Sequence, residues 1–203
     1  MHLLLGLGNP GGQYEKTRHN VGFLVADQLA CRGSTILSKR QFGALVGKVR
    51  LGSQVMVAAK PQSFMNLSGQ PAASLRGFYK IPVDRMIVIH DELDLPFGQV
   101  RVKKGGGHGG HNGLRDLQKR AGGNGFLRVR VGISRPPPEW NVADYVLARW
   151  TPEEQSRLDD IVHTAADAVE AVVREGVDAA MNRFNVRPER GRRNSPVGTA
   201  DSI

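Results

Sequence analysis

Residues 44–61 read ALVGKVRLGSQVMVAAKP. Its two halves, ALVGKVRLG and QVMVAAKP, alternate side chains with the two-residue period of a strand. They meet at Gly52 and Ser53, so the pair is expected to form a hairpin, and a hairpin brings antiparallel pairing into whatever sheet contains it. On either side the pattern changes. LLLGLG (3–8) is a short apolar run ending in glycines, and RMIVIHDELDL (85–95) is another that runs into acids; continuous apolar runs are what strands buried on both faces look like. QVRVKK (99–104) and FLRVRVGIS (126–134) alternate valines with cations, which predicts one positive sheet face there. Helices are expected from about Asn20 (VGFLVADQLA), over SGQPAASLRGFYK (68–80) and over NGLRDLQKRA (112–121). Strands alternating imperfectly with helices, hairpins included, give the α/β class: a single domain with a twisted mixed β-sheet flanked by helices.

The last helical stretch runs from Thr151 to about Phe184. Thr151 at N-cap, Pro152 at N1 and Glu154 at N3 make a capping-box pattern. Leu158, Ile161, Val162, Ala165, Val169, Val172 and Val173 form one apolar stripe, and Gly176 is expected to interrupt the helix. The stripe is core. After Val186 the segment RPERGRRNSPVGTADSI has too few apolar residues to fold, so the domain is placed at 1–186 and a basic, disordered tail at 187–203. A chain of 203 residues fits one domain of this size.

Formal charge is +9 and the sequence pI about 10.2, a balance that favours a polyanionic partner, nucleic acid first. Discounting the arginines of the tail still leaves a basic protein. No apolar run approaches a membrane span and MHLLLGLGNPGG lacks a signal-peptide pattern, so no membrane association and a cytoplasmic location are expected. Cys31, the single cysteine, lies in VADQLACRG with no base nearby in sequence and is read as a buried thiol.

Several loops carry more chemistry than a turn needs. Gly6, Gly8 and Gly11 match GxGxxG, but a dinucleotide turn requires a helix to begin at the glycines, whereas Pro10 and GQYEKTRHN intervene. A plain turn would not explain why Asn9, Tyr14, Arg18, His19 and Asn20 crowd that loop. KKGGGHGGHNGLRD (103–116) has glycine at five of the six positions 105–110 around His108, loose enough for backbone to approach a ligand, yet it lacks the GK[ST] ending of a phosphate loop. His108 and His111 have no third ligand of suitable spacing for zinc; hydrogen-bonding or structural roles are preferred. Glu92 and Asp94 read as a solvated acidic turn, while Asp91 closes a buried strand, where α/β sites commonly form. Asn66 reads first as a helix N-cap. Asn9, Asn66 and Asn112 all sit beside glycine or proline in loops, and amides brought together could serve an oxyanion or a peptide.

GLGNPGGQYEKTRHNVGF, KPQSFMNLSG, HDELDLPFG and KKGGGHGGHNGLRD, in that order and spacing, resemble the motifs of the bacterial-type peptidyl-tRNA hydrolases over about residues 1–185. The resemblance implies hydrolysis of the ester between a peptide carboxyl and the terminal adenosine ribose of tRNA, with no metal and no organic cofactor. It makes His19 the base that deprotonates water, with Asp91 orienting the imidazole, and Asn112 the residue holding substrate and water. Asn66 would help form the oxyanion environment and contact the 3′ end. Asn9 would accept a peptide amide and so spare aminoacyl-tRNA with its charged amine. Tyr14, Phe64 and Met65 would line the cleft, and Lys103 and Arg130, beside Arg101 and Lys104, would hold the tRNA 5′ phosphate at the acceptor stem. A monomer without an obligate protein partner is the default. The rivals are a silent RNA-binding protein on the same fold, a metal-dependent phosphoesterase built on Asp91 and the histidines, and a dinucleotide oxidoreductase.

Overall fold

Strand β1 (His2–Gly6) lies at the middle of a seven-stranded sheet, with β4 (Gln54–Pro61) on one side and β5 (Met86–Glu92) on the other, both parallel to it. β7 (Leu127–Gly132) continues the parallel core beyond β5. Antiparallel strands finish both edges: β3 (Ala44–Leu51) and the three-residue β2 (Lys39–Gln41) outside β4, and β6 (Val100–Lys104) outside β7. The order is β2-β3-β4-β1-β5-β7-β6. The hairpin expected at 44–61 is β3–β4, closed by the Leu51–Gln54 pair. The structure, a computed structural model, describes residues 1–186; the expected tail, 187–203, lies outside the described residues.

Helices cover both faces. On one, α1 (Val21–Arg32) and α5 (Pro152–Glu175) pack on Leu4, Ala58, Ile87, Ile89 and Val129. On the other, α2 (Gly69–Tyr79) and α3 (Asn112–Arg120) pack on Leu3, Leu5, Val57 and Val88. Neighbouring positions of β1 thus feed opposite cores, which is why its sequence shows no polar face. α4 (Val142–Leu147) and α6 (Val177–Phe184) complete the set. Thr151 and Glu154 form the expected capping box, and Gly176, at φ 91°, separates α5 from α6. Asn185 then pairs both ways with the backbone of Val102, 2.9 and 2.8 Å, shielding part of the exposed edge of β6.

Three local expectations change. Cys31 is exposed, because α1 buries Val25, Ala26, Leu29 and Ala30 and the next residue turns outward. Asn66 caps nothing: it lies inside a 3-10 turn, Met65–Leu67, and α2 begins after Ser68. Glu92 is no solvated turn residue, since it ends β5 and pairs with Arg130 at 2.9 Å.

Candidate active site

The site forms at the carboxyl ends of β1 and β5, where the chain leaves β1 for α1 on one face and reaches α3 on the other after β5 and β6. Such divergence opens a crevice at the strand ends. Gly22 brings the two sides together. A Cβ there would lie 2.5 Å from the Ile89 carbonyl oxygen and from both the nitrogen and oxygen of Leu7, so only glycine lets α1 start against the strand ends. His19, three residues earlier, is thereby set beside Asp91, two residues beyond Ile89.

His19 Nδ1 lies 2.9 and 3.0 Å from the two carboxylate oxygens of Asp91, and both residues are buried. His111 Nε2 reaches the same Asp91 Oδ1 at 3.0 Å. The His111 ring is the N-cap of α3: its Nδ1 accepts from the amides of Gly113 and Leu114, so the proton is on Nε2 and is donated to Asp91. Burial alone would raise the Asp91 pKa, but the facing His19 and His111 outweigh it and hold the carboxyl well below the usual carboxylate range. Asp91 therefore stays ionised at neutral pH. By the same reasoning His19 carries its proton on Nδ1, and Nε2, which has no partner among the described residues, is left for the cleft.

The cleft is about 580 Å³, a size suited to a small acyl group and a nucleotide end rather than a single ion. Asn9, His19, Phe64, Met65, Asn66, Asp91 and Asn112 all line it. Tyr14 does not; it meets the cleft residue Phe64 edge-on, ring centroids 6.4 Å apart. Asn9 is tightly held. Asn20 accepts from its amide and donates to its carbonyl (2.8 and 2.9 Å), and Asn9 Oδ1 accepts from Met65 N at 2.7 Å. What Asn9 offers the cleft is Nδ2, a donor, beside the second lone pair of an Oδ1 already held by Met65 N. The side chains of Asn66 and Asn112 have no hydrogen-bond partner among the described residues, and both residues are exposed.

Lys103 and Arg130 lie outside the cleft. In the β6–β7 register Arg101 faces Arg130 and Lys103 faces Arg128. Facing cations are unfavourable in a sheet. The positive face is smaller than the alternation suggests, because Arg128 is 3% exposed and donates to the carbonyls of Gly106 and Gly107, holding the glycine-rich loop from beneath. Gly105, Gly106, Gly109 and Gly110 all have positive φ, the conformation that keeps the loop open above His111. His108 caps Gly110 N while His111 turns to Asp91, so the two are not a metal pair. His19, Asp91 and His111 do place three ligand atoms within 4.8 Å of one another, a donor set zinc accepts. In this arrangement His19 Nδ1 and His111 Nε2 both bond to Asp91.

A family model described as peptidyl-tRNA hydrolase matches residues 3–193. The chain belongs to the peptidyl-tRNA hydrolase family. It is 50% identical over 184 residues to the peptidyl-tRNA hydrolase of Nocardia farcinica, covering 90% of this chain and 95% of that one. With the enzyme of Roseiflexus sp. strain RS-1 it shares 46% over 194 residues, 95% and 89% of the two chains. The crystal structure of peptidyl-tRNA hydrolase from Acinetobacter baumannii superposes with a TM-score of 0.85 at 38% identity, covering 92% and 95%. Peptidyl-tRNA hydrolase activity, not silent RNA binding, follows from that membership, and the dinucleotide reading falls because residues 7–20 separate β1 from α1. No helix among the described residues is long and apolar enough to cross a membrane.

The sequence reading missed two parts of this hydrolase site. His111 carried no assigned place in it, though its pairing with Asp91 spans only 20 residues. α4 was not foreseen, yet Val142, Ala143, Val146 and Leu147 form an apolar wall of the cleft.

Proposed function

We propose that the cleft hydrolyses the ester of N-acyl-aminoacyl-tRNA with His19 as general base and Asp91 as its orienting partner. The observation that carries this reading is the buried His19–Asp91 pair at the cleft of a peptidyl-tRNA hydrolase. Water held near Asn112 gives a proton to His19 Nε2 as its oxygen adds to the ester carbonyl. Asp91 stabilises the imidazolium that results. The tetrahedral oxyanion takes hydrogen bonds from the unpaired amides of Asn66 and Asn112. Collapse breaks the bond to the ribose oxygen, which recovers the proton from His19, releasing peptide acid and tRNA. The steps balance without a metal ion.

Asn9 Nδ2 donates to the carbonyl of the acyl group that blocks the substrate's amine. A free aminoacyl-tRNA has no such carbonyl to receive the Asn9 donor and brings a charged ammonium in its place, so it is refused. Phe64 and Met65, with Tyr14 behind, flank the 3′ end. Lys103 and Arg130 bind a phosphate of the acceptor stem; the facing cations of β6 and β7, of which Arg130 pairs with Glu92, are relieved when a phosphate arrives. The enzyme acts as a monomer in the cytoplasm, where its substrate arises, and light scattering of the purified chain checks the first point.

Release of labelled N-acetyl-aminoacyl groups from tRNA by wild type and His19→Ala, with and without chelator, tests the mechanism. Cleavage that survives chelator and is lost in His19→Ala is expected. Retained turnover in His19→Ala would overturn the assignment, and activity lost to chelator and restored by a divalent ion would favour a metal at His19, Asp91 and His111.

A further inference from the structure

Arg18 adjoins His19 but is 4% exposed and faces away from the cleft. Its Nη1 donates to the carbonyls of Tyr145, Ala148 and Arg149 at 3.4, 3.4 and 3.1 Å. These lie in and just beyond the last turn of α4, where carbonyls lack helical partners and a cation is favourable. Its other edge meets Glu154 as a fork, Nε to Oε1 at 3.2 Å and Nη2 to Oε2 at 2.6 Å. The guanidinium also sits 4.4 Å from the centroid of the Tyr145 ring. Backbone contacts follow the same seam: Arg18 N donates to Ala148 O, Trp150 N donates to Lys16 O, and Thr17 bridges to Arg149. Glu154 is itself fixed by the capping box, accepting from Thr151 N at 2.8 Å.

One side chain thus joins three things: the turn that carries His19, the end of α4, and the start of α5. α4, a helix of six residues, is anchored in the core by the buried Tyr145 and Val146 and capped by Asn141, while its Val142 and Leu147 remain 44% and 41% exposed; the placement of its C-terminal end falls to Arg18 and the backbone seam. Lysine would keep the charge at position 18 but could not reach three carbonyls and a carboxylate at once, since only the planar guanidinium has that fork.

We propose that Arg18 is a positioning residue that keeps the apolar α4 wall in register with His19, so that the side chain next to the scissile ester is seated against Val146 and Leu147 when the base acts. The inference rests on the assignment of His19 as base and of the cleft as the acyl site. It gives this enzyme a preference for bulky apolar residues at the ester, set by a group that never touches substrate.

The test uses the full chain carrying Arg18→Lys or Glu154→Gln, with N-acetyl-phenylalanyl-tRNA and N-acetyl-glycyl-tRNA as substrates, well below the melting transition of each variant. With Arg18→Lys, kcat is expected to fall ~10- to 100-fold, the scale of loss when a reacting group is misplaced by about an ångström. The phenylalanyl-to-glycyl ratio of kcat/KM should fall by about tenfold, the size of an apolar pocket contact. A residue needed only for stability would lower the melting temperature and leave that ratio unmoved. His19→Ala supplies the control: it should reduce both substrates alike and preserve the ratio in whatever turnover remains. If Arg18→Lys melts earlier but keeps wild-type kcat and ratio, the positioning role is wrong while His19 stands as base. If His19→Ala stays active the base assignment fails, and the ratio still reports on the wall. Should Arg18→Lys fail to fold, Glu154→Gln carries the test, because it keeps a capping acceptor while removing the charged fork that aims the guanidinium at the three carbonyls; an unchanged ratio there overturns the proposal.

Discussion

His90 precedes Asp91 on β5 and is 1% exposed. Its Nδ1 donates to the Asp91 carbonyl at 2.7 Å, while its Nε2 is buried with no hydrogen-bond partner among the described residues. Burial first, then the neighbouring His111, pushes its pKa from 6.5 down to about 3, against the pull of Asp91; Arg128 adds to the depression. The unfolded chain therefore takes up a proton at His90 as pH falls through 6.5, whereas the folded chain does so only near 3. The stability tied to this neutral imidazole is whole above pH 6.5 and is lost progressively below it. At about 1.4 kcal/mol per pH unit, the loss reaches about 2 kcal/mol at pH 5. His90→Asn keeps a donor near the position of Nδ1 and removes the titration, at a packing cost independent of pH. Urea unfolding of both proteins at pH 8 and pH 5 separates the two effects. Wild type should lose about 2 kcal/mol more than His90→Asn between those values. A difference between the proteins that stays constant across the range would mean that the folded state protonates His90 readily, and the argument from burial would be wrong.

Other expectations follow from the same geometry. Lys103→Ala and Arg130→Ala should each weaken tRNA binding and reduce the slope of log K against log salt by about 1, read by filter binding across a salt series; neutral effects from both would remove the phosphate assignment. Gly22→Ala would ordinarily gain helix propensity, but here its Cβ meets three backbone atoms at 2.5 Å. It should cost about 1–3 kcal/mol in thermal unfolding and lower kcat by shifting His19 from Asp91, and an unchanged melting temperature would show that α1 has room to move. Asn9→Ala should chiefly erode the preference for acylated over free-amine tRNA, whereas equal loss on both substrates would make its bond to Met65 N the more important one.

What could be read from the sequence was whatever local pattern encodes. The hairpin at 44–61 and the capping box at 151–154 each lie within a few residues, and the apolar runs of β1 and β5 announce burial on both faces. Cys31 failed by one position on a helix, a phase that apolar neighbours cannot fix. The polar loops marked the cleft because Asn9, His19, Asn66 and Asn112 have side chains that turns do not require. Their convergence was out of reach, since it depends on partners 72 residues apart for His19 and Asp91 and 56 apart for Asn9 and Met65. α4 escaped because six residues give too short an apolar period to stand out beside PPPEW. The arginines show the limit most clearly. Composition counts every one of them toward an outward positive charge, yet Arg18 is spent on the carbonyls below α4 and Arg128 on those of the glycine-rich loop, both buried. A cation is available to a phosphate only when the fold leaves some of its donors unpaired, and among the described residues Arg130 engages only Nε, with Glu92. The basic character that pointed toward nucleic acid is thus partly a scaffold for the cleft, and the outward share rests on exposed residues such as Lys103 and Lys104.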